Sequence, residues 1–248
     1  MEKYKTVKDA IDGFIRELKE NNQYKLLPTN EKSSDNYEYN IYNEISLQHE
    51  LGEFLRNRLE GNYNIFFEKN IYDKEKEEWI KKEVDLILIN EKKEKYAIEL
   101  KFSKGENARI PENMYDFIKD IKFMEQVMSK KGFTDAYNLI IVDSPLYYEV
   151  LSNKRKNTIR YDIYKIFRND KEGVNIKREI DKNIILRKEE IDENKYCRPT
   201  GKKEYKGKGF KLKRDYTDKY WKKIFEEDKD NPYRYLFISQ KEYEQLAK

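Results

Sequence analysis

Three charged residues lie inside apolar segments of the sequence, and their types and spacing could support chemistry. Asp85 interrupts the run VDLILI, and Glu99 and Lys101 stand two positions apart in the run IELKF. Because successive side chains of a strand alternate between its two faces, Glu99 and Lys101 point to the same face. If the two runs pair, two carboxylates and an ammonium cluster at one end of an apolar sheet. Isolated charges there cost several kcal/mol, so partners or a metal ion are expected.

The tripeptide Glu-x-Lys carries little information by itself in a chain of which 40% is charged. It also begins at Glu17, Glu91, Glu193, Glu204 and Glu227. Glu99 is the occurrence that lies inside an apolar strand and follows another apolar strand containing an Asp. The alternative interpretation is a structural ion pair, or simply polar residues at strand ends. At this point both interpretations stay open.

The order of helices and strands around these residues indicates a mixed sheet. Apolar side chains at helical spacing predict helices over residues 6–20, 43–60 and 112–130. Apolar runs predict strands at NIFFEKNIY (64–72), EVDLILI (83–89), KYAIELKF (95–102) and YNLIIVD (137–143). The charged turn NEKKEK predicts a hairpin of the second and third strands, and the intervening helix predicts that the third and fourth are parallel. We therefore expect an α/β fold with a mixed central sheet flanked by helices.

The composition excludes several classes of protein. No stretch approaches the ~18 apolar residues of a membrane-spanning helix, and the first residues lack the apolar core of a signal peptide. We therefore expect no membrane association and a cytoplasmic location. One cysteine and one histidine exclude an internal disulfide and a zinc site built from Cys and His. Any metal must then be held by oxygen ligands.

The charge is distributed unevenly along the chain. Residues 1–150 hold 24 Lys and Arg against 30 Asp and Glu, whereas residues 151–248 hold 28 against 18. The first part is therefore acidic and the second basic, which predicts that the second part meets a polyanion. The second part also contains strand-like runs, and YRYLFIS is predicted to be its last strand. We expect a basic, β-rich extension there.

Given this order of elements, residues 40–145 resemble the PD-(D/E)XK nuclease superfamily, which has the restriction-endonuclease-like fold. The motif of that family maps onto Asp85 in the first strand of the pair and onto Glu99 and Lys101 in the second. The helices and strands follow the order of the family's common core. Val84 stands where many members have proline, so one specific mark of the motif is missing.

The resemblance implies hydrolysis of phosphodiester bonds with the help of a metal ion. Attack of water on a phosphorus that carries negative charge needs a cation to hold the phosphate and a nucleophile that is reactive at neutral pH. Asp85 and Glu99 are expected to bind Mg²⁺, with Mn²⁺ as a substitute, because hard cations prefer carboxylate oxygens. The family implies the Leu100 carbonyl as a further ligand. Lys101 is expected beside the attacking water.

Many members of the family also carry a glutamate on the first core helix. The apolar stripe of the second predicted helix contains Glu44 and Gln48. Glu44 is therefore the first candidate for the extra metal or water ligand, and Glu50, which borders the same face, is the second. Glu125 shares the apolar face of the third helix and is expected to be a buried structural partner of a Lys or Arg. His49 is expected to point away from the apolar stripe.

A basic segment in the second part of the chain is the candidate for contact with nucleic acid. Residues 198–214 carry eight Lys and Arg with Glu204 as the acidic residue among them, and three glycines interrupt the segment. Such a segment suits phosphate contacts, which give affinity without sequence specificity. We expect these contacts from Lys202, Lys203, Lys206, Lys208 and Lys211, and from Lys104 and Arg109 after the third strand.

Together these observations predict a nuclease core and an appended lobe. Residues 1–150 are expected to form the core with an N-terminal helix, and residues 151–248 are expected to pack on it. The first hypothesis for function is a Mg²⁺-dependent endonuclease that cuts DNA in restriction or repair. The alternatives are an RNase of the same fold, a nucleic-acid-binding protein without turnover and a protein-interaction module. A homodimer is one expected arrangement, since cutting two strands often calls for two active sites.

Overall fold

The fold is given by a computed structural model that describes part of the chain. The described residues are 2–20, 24–26, 39–71, 83–104, 110–129, 132–148, 212–214, 216, 219–225 and 231–242. Most of the predicted extension lies outside them. The same is true of six predicted phosphate contacts, namely Arg109, Lys202, Lys203, Lys206, Lys208 and Lys211.

Along the described residues, each α-helix is followed by two or more strands. The α-helices are α1 (Val7–Glu20), α2 (Glu44–Arg58) and α3 (Ile110–Ser129). The strands are β1 (Tyr24–Leu26), β2 (Tyr39–Ile41), β3 (Tyr63–Asn70), β4 (Glu83–Asn90), β5 (Lys95–Ser103), β6 (Phe133–Val142), β7 (Lys222–Lys223) and β8 (Arg234–Ser239). The three predicted helices and the predicted strands around the motif are thus confirmed. No helix within the described ranges combines the length and the apolar character that spanning a bilayer requires.

The main sheet has six strands in the order β3-β4-β5-β6-β8-β7. β4 and β5 form the predicted antiparallel hairpin, and β5 and β6 form the predicted parallel pair across α3. β8 is antiparallel to β6, so the predicted last strand belongs to the main sheet. β1 and β2 pair separately as a small parallel sheet, which the sequence did not indicate. The expectation of a mixed sheet flanked by helices is confirmed.

Apolar side chains cover both faces of the sheet. The face with Leu86, Ile98 and Leu100 packs with α1 and α2, and the face with Ala97 and Ile140 packs with α3. Burying one such side chain fully contributes about 1.5–3 kcal/mol, so the apolar residues decide which face each strand turns to which helix. The polar residues between them in β5, at positions 99 and 101, consequently turn to the side of α3.

The first turn of α2 is fixed by its cap and by close packing on the sheet. Asn43 and Ser46 form a capping box in which each side chain accepts the other's backbone N–H, at 2.8 Å and 3.0 Å. Farther along the helix, a Cβ atom at Gly52 would lie 2.5 Å from Cζ of Phe67 in β3. A side chain at position 52 would therefore require the Phe67 ring to move.

Candidate active site

The hairpin that carries the motif changes its hydrogen bonding at Asp85. Among the described residues, the ladder between β4 and β5 ends at the pair Leu86 and Ile98. Beyond that pair, the Leu100 N–H donates a hydrogen bond to Oδ2 of the Asp85 carboxylate, at 2.7 Å. The backbone carbonyl of Asp85 accepts a hydrogen bond from Nε2 of Gln48, on α2, at 2.8 Å. Asp85 is therefore fixed to the middle of the Glu-x-Lys motif from one side and to α2 from the other.

Lys101 lies between two carboxylates that come from different helices. Its Nζ donates to Oε1 of Glu44 in α2 at 2.9 Å and lies 3.4 Å from Oδ2 of Asp120 in α3. Burial by itself lowers the pKa of Lys101, but Asp120, Glu44 and Glu99 outweigh burial and raise the pKa well above its ordinary value. Lys101 is consequently an ammonium at neutral pH, and it does not accept a proton in this arrangement.

Glu99 is a buried member of the charged cluster around Lys101. Its side chain is 1% exposed, and it lies two residues from Lys101 on the same face of β5. Within the described residues, three carboxylates act on the ammonium of Lys101, namely those of Glu44, Glu99 and Asp120. The carboxylates of this cluster therefore outnumber its ammonium.

A neutral polar residue lies beside this cluster. Asn138 in β6 is the position paired with Glu99 in the parallel ladder, and it is fully buried. Across the described part of the chain, neither Nδ2 nor Oδ1 of Asn138 finds a hydrogen-bond partner. Because buried side-chain polar atoms nearly always have a partner, Asn138 stands out as a group whose presence needs a reason.

The structure distinguishes between the two glutamates of α2 that were predicted as additional ligands. Glu44 reaches the cluster through Lys101, whereas the recorded contact of Glu50 is with its neighbour His49, at 3.2 Å between Oε1 and Nδ1. The His49 side chain is 66% exposed, which confirms that it points away from the apolar stripe. Of the two glutamates, Glu44 is therefore the one joined to the motif by a described contact.

Glu125 has the structural role that was predicted for it. Its carboxylate is buried and lies 3.4 Å from Nζ of Lys122. It also accepts the backbone N–H groups of Lys213 and Arg214 and the hydroxyl of Tyr216, at 2.9 to 3.1 Å. These bonds attach Lys213, Arg214 and Tyr216 to α3.

Lys104, the described member of the predicted phosphate contacts, lies just beyond the end of β5. Its Nζ is 5.5 Å from the centre of the Phe102 ring. Burial lowers the pKa of Lys104, and Asp143 offsets part of that effect. The side chain is thus at the same end of β5 as Lys101.

The cluster fits a hard divalent cation by the chemistry of its donors. The three acidic side chains of the cluster, and that of Asp85 on the neighbouring strand, have carboxylate oxygens, and the buried amide of Asn138 adds polar atoms without a described partner. Mg²⁺ prefers such oxygens and retains several waters, so it needs few protein ligands. Within the described residues, however, no three His, Cys, Asp or Glu side chains are grouped as a metal site would require. The types of donor fit the ion, and the Leu100 carbonyl stays a predicted ligand.

Two members of the site, Asp120 and Asn138, were not identified from the sequence. Asp120 follows Phe117 by three positions and precedes Met124 by four, so it is a carboxylate in the apolar stripe of α3. Asn138 is the polar residue within the apolar run YNLIIV. In both cases the signal in the sequence is a polar residue at a position where the spacing predicts a buried side chain.

Comparison of the chain with protein-family models, with curated proteins and with solved structures found no match.

Proposed function

We propose that the protein is a metal-dependent endonuclease that hydrolyses phosphodiester bonds of DNA. The observation that carries this proposal is the ammonium of Lys101, held between Glu44 and Asp120 beside the buried Glu99. A buried charge held by groups from two helices and a strand is pre-organised, as a group that stabilises a charged transition state must be. The resemblance of the motif strands to the PD-(D/E)XK superfamily supports the same conclusion.

Each residue of the motif has a role in the proposed chemistry. Asp85 and Glu99 would hold Mg²⁺, which would neutralise charge at the phosphate and lower the pKa of a bound water. Lys101, surrounded by carboxylates, orients the attacking water and stabilises negative charge as it develops at the phosphate oxygens. Glu44 and Asp120 hold the Lys101 ammonium in place.

Nucleic acid as the substrate is supported by the charge of the chain. The residues beyond position 150 carry 28 basic against 18 acidic side chains. Phosphate contacts from Lys104 and from the basic segment 198–214 would hold a polyanion near an acidic site that by itself repels it. A homodimer, with one such site in each chain, would allow both strands of a duplex to be cut.

A second candidate function is binding of nucleic acid without turnover. The observation that favours it is the same pair of contacts of Lys101, since an ammonium that bridges two helices through Glu44 and Asp120 also serves as a structural ion pair. In that case the cluster would stabilise the fold, and the basic segment alone would carry the function.

The two candidates are separated by a cleavage assay. The full chain is incubated with plasmid, single-stranded DNA and RNA, in Mg²⁺, in Mn²⁺ and in EDTA. Cleavage that needs the metal is expected, and Lys101→Ala and Asp85→Ala should each lower the rate by at least about 100-fold. Lys122→Ala is the matched control, because Lys122 is also 3.4 Å from a buried carboxylate but lies outside the site. Absence of metal-dependent cleavage, or equal rates in all three variants, would refute the enzymatic proposal, and cleavage of RNA alone would identify an RNase.

A further inference from the structure

The pairing of β4 with β3 is interrupted at Asp85. Within the described residues, the ladder between these strands omits Glu68 and Asp85, although the same register continues on either side of them. Glu68 has a φ of 46°, in the left-handed region that residues other than glycine rarely adopt. Such a conformation costs free energy and persists only where the surrounding structure enforces it. Other contacts must therefore hold this part of the sheet in its interrupted form.

The buried side chains of β4 also change faces at Asp85. Residues two apart in a regular strand lie on the same face of the sheet. Val84, however, is buried with Phe123 of α3, whereas Leu86 is buried with Leu51 of α2. Asp85 is thus the residue at which β4 departs from regular strand geometry.

Gln48 donates a hydrogen bond to the backbone of Asp85 at this point. Its Nε2 lies 2.8 Å from the Asp85 carbonyl oxygen, and the residue is 7% exposed. A side-chain amide is a neutral donor, so here it acts on the strand backbone as an N–H of a neighbouring strand would. The Asp85 carboxylate is held separately, by the Leu100 N–H at 2.7 Å. Two bonds from different elements therefore hold the backbone and the side chain of Asp85.

We propose that Gln48 is a positioning residue that holds Asp85 out of regular strand pairing, so that its carboxylate lies against β5 and binds a divalent cation. Groups that orient a ligating carboxylate commonly change metal affinity by about 10- to 100-fold when they are removed. Gln48 acts one step farther from the cation, through the backbone of Asp85. This inference rests on the proposed function, because it needs Asp85 to be a ligand.

The same helix also contacts the other half of the motif. Glu44 lies one turn before Gln48 in α2, and residues four apart lie on the same side of a helix. Glu44 accepts a hydrogen bond from Lys101 in β5, and Gln48 donates one to Asp85 in β4. One face of α2 therefore sets the positions of both motif strands.

The test measures Mg²⁺ binding and hydrogen exchange of the full chain and of its Gln48→Met variant. Methionine has nearly the shape of glutamine but has no N–H to donate. We expect the Kd for Mg²⁺, measured by calorimetry, to rise about 10- to 100-fold. In EDTA, exchange of the Leu100 amide should become at least about 10-fold faster relative to the amides of β6.

Two further variants control for packing and for folding. Leu47→Met changes the shape of the neighbouring buried side chain at nearly constant volume, and it should alter neither the Kd nor the relative exchange of the Leu100 amide. Gln48→Asn, whose amide is one methylene shorter, should give the same two changes as Gln48→Met. It replaces the methionine variant if that variant does not fold.

Each outcome of the test decides one proposal. A Gln48→Met variant that binds Mg²⁺ as tightly as the parent would overturn the role of Gln48 and leave the proposed nuclease standing. Equal acceleration of exchange at Leu100 and throughout β6 would also overturn it, because Gln48 would then contribute only to the general stability of the fold. A parent chain that binds no Mg²⁺ would instead refute the proposed function, and the inference about Gln48 would fall with it.

Discussion

Replacement of Lys101 by methionine tests whether its ammonium holds the charged cluster together. Methionine keeps most of the length of the side chain and removes the charge. The ammonium lies 2.9 Å from Oε1 of Glu44 and 3.4 Å from Oδ2 of Asp120, and it is 19% exposed. Without it, the carboxylates of Asp120 and Glu99 remain buried near each other, and their mutual repulsion is no longer offset.

The expected loss of stability follows from these distances. At an effective dielectric constant of about 20, the attraction between Lys101 and the buried Asp120 amounts to roughly 5 kcal/mol before the cost of desolvation. The attraction to Glu44, which is 38% exposed, is weaker because solvent screens it. Removing one partner of a buried ion pair lowers stability by about 3–5 kcal/mol in practice. For a chain of this size that corresponds to a decrease of roughly 6–20 °C in the unfolding temperature. Asp120→Asn in the Lys101→Met background should recover part of the loss, because it removes the buried charge left behind.

The loss should be measured at pH 7 by urea unfolding, against Lys122→Met as the matched control. Since the pKa of Lys101 is raised from 10.5, the stability that this shift confers is fully present below pH 10.5 and declines only above it. Lys122 also lies 3.4 Å from a buried carboxylate, but that carboxylate, Glu125, keeps the N–H groups of Lys213 and Arg214 as donors. Lys122→Met should therefore be the milder change. If both substitutions cost the same, the reasoning about Lys101 is refuted.

Three further predictions address the strands, the helix and the basic segment. Asp85→Ala should speed hydrogen exchange of the Leu100 amide, because losing the acceptor of that N–H lowers stability by about 1–3 kcal/mol. Asp85→Asn should keep that amide protected and still weaken Mg²⁺ binding. Equal exchange of the Leu100 amide in the parent and in Asp85→Ala would contradict this prediction. Gly52→Ala should destabilise by about 1–3 kcal/mol in urea titrations because of the contact with Phe67. In a Phe67→Ala background, Gly52→Ala should instead stabilise the protein by about 1 kcal/mol. An effect of Gly52→Ala on stability that has the same sign in both backgrounds would contradict this prediction. Replacing Lys202, Lys203, Lys206 and Lys208 by glutamine should reduce the slope of log K for DNA against log salt by about 3 to 4, and an unchanged slope would remove the segment from the interface.

The sequence by itself determined the elements and part of the site. Apolar spacing located α1, α2 and α3, because the period of a helix or strand is set by local geometry and a buried face must follow it. The turn between β4 and β5 and the helix between β5 and β6 determined which pairs are antiparallel and parallel. Strand alternation alone placed Glu99 and Lys101 on one face, and a carboxylate in an apolar stripe correctly marked Glu125 as a buried structural partner.

Only the tertiary structure decided which distant groups meet at that face. The rotation of α2 on the sheet selects Glu44 over Glu50 for contact with Lys101, and the position of α3 over β5 brings Asp120 to the same ammonium. The register of β6 against β5 sets Asn138 beside Glu99. Periodicity fixes which residues of one element share a face, but helix rotation and strand register are fixed by packing between elements far apart in the chain. The contacts between the motif and these residues are therefore a property of how the elements pack together.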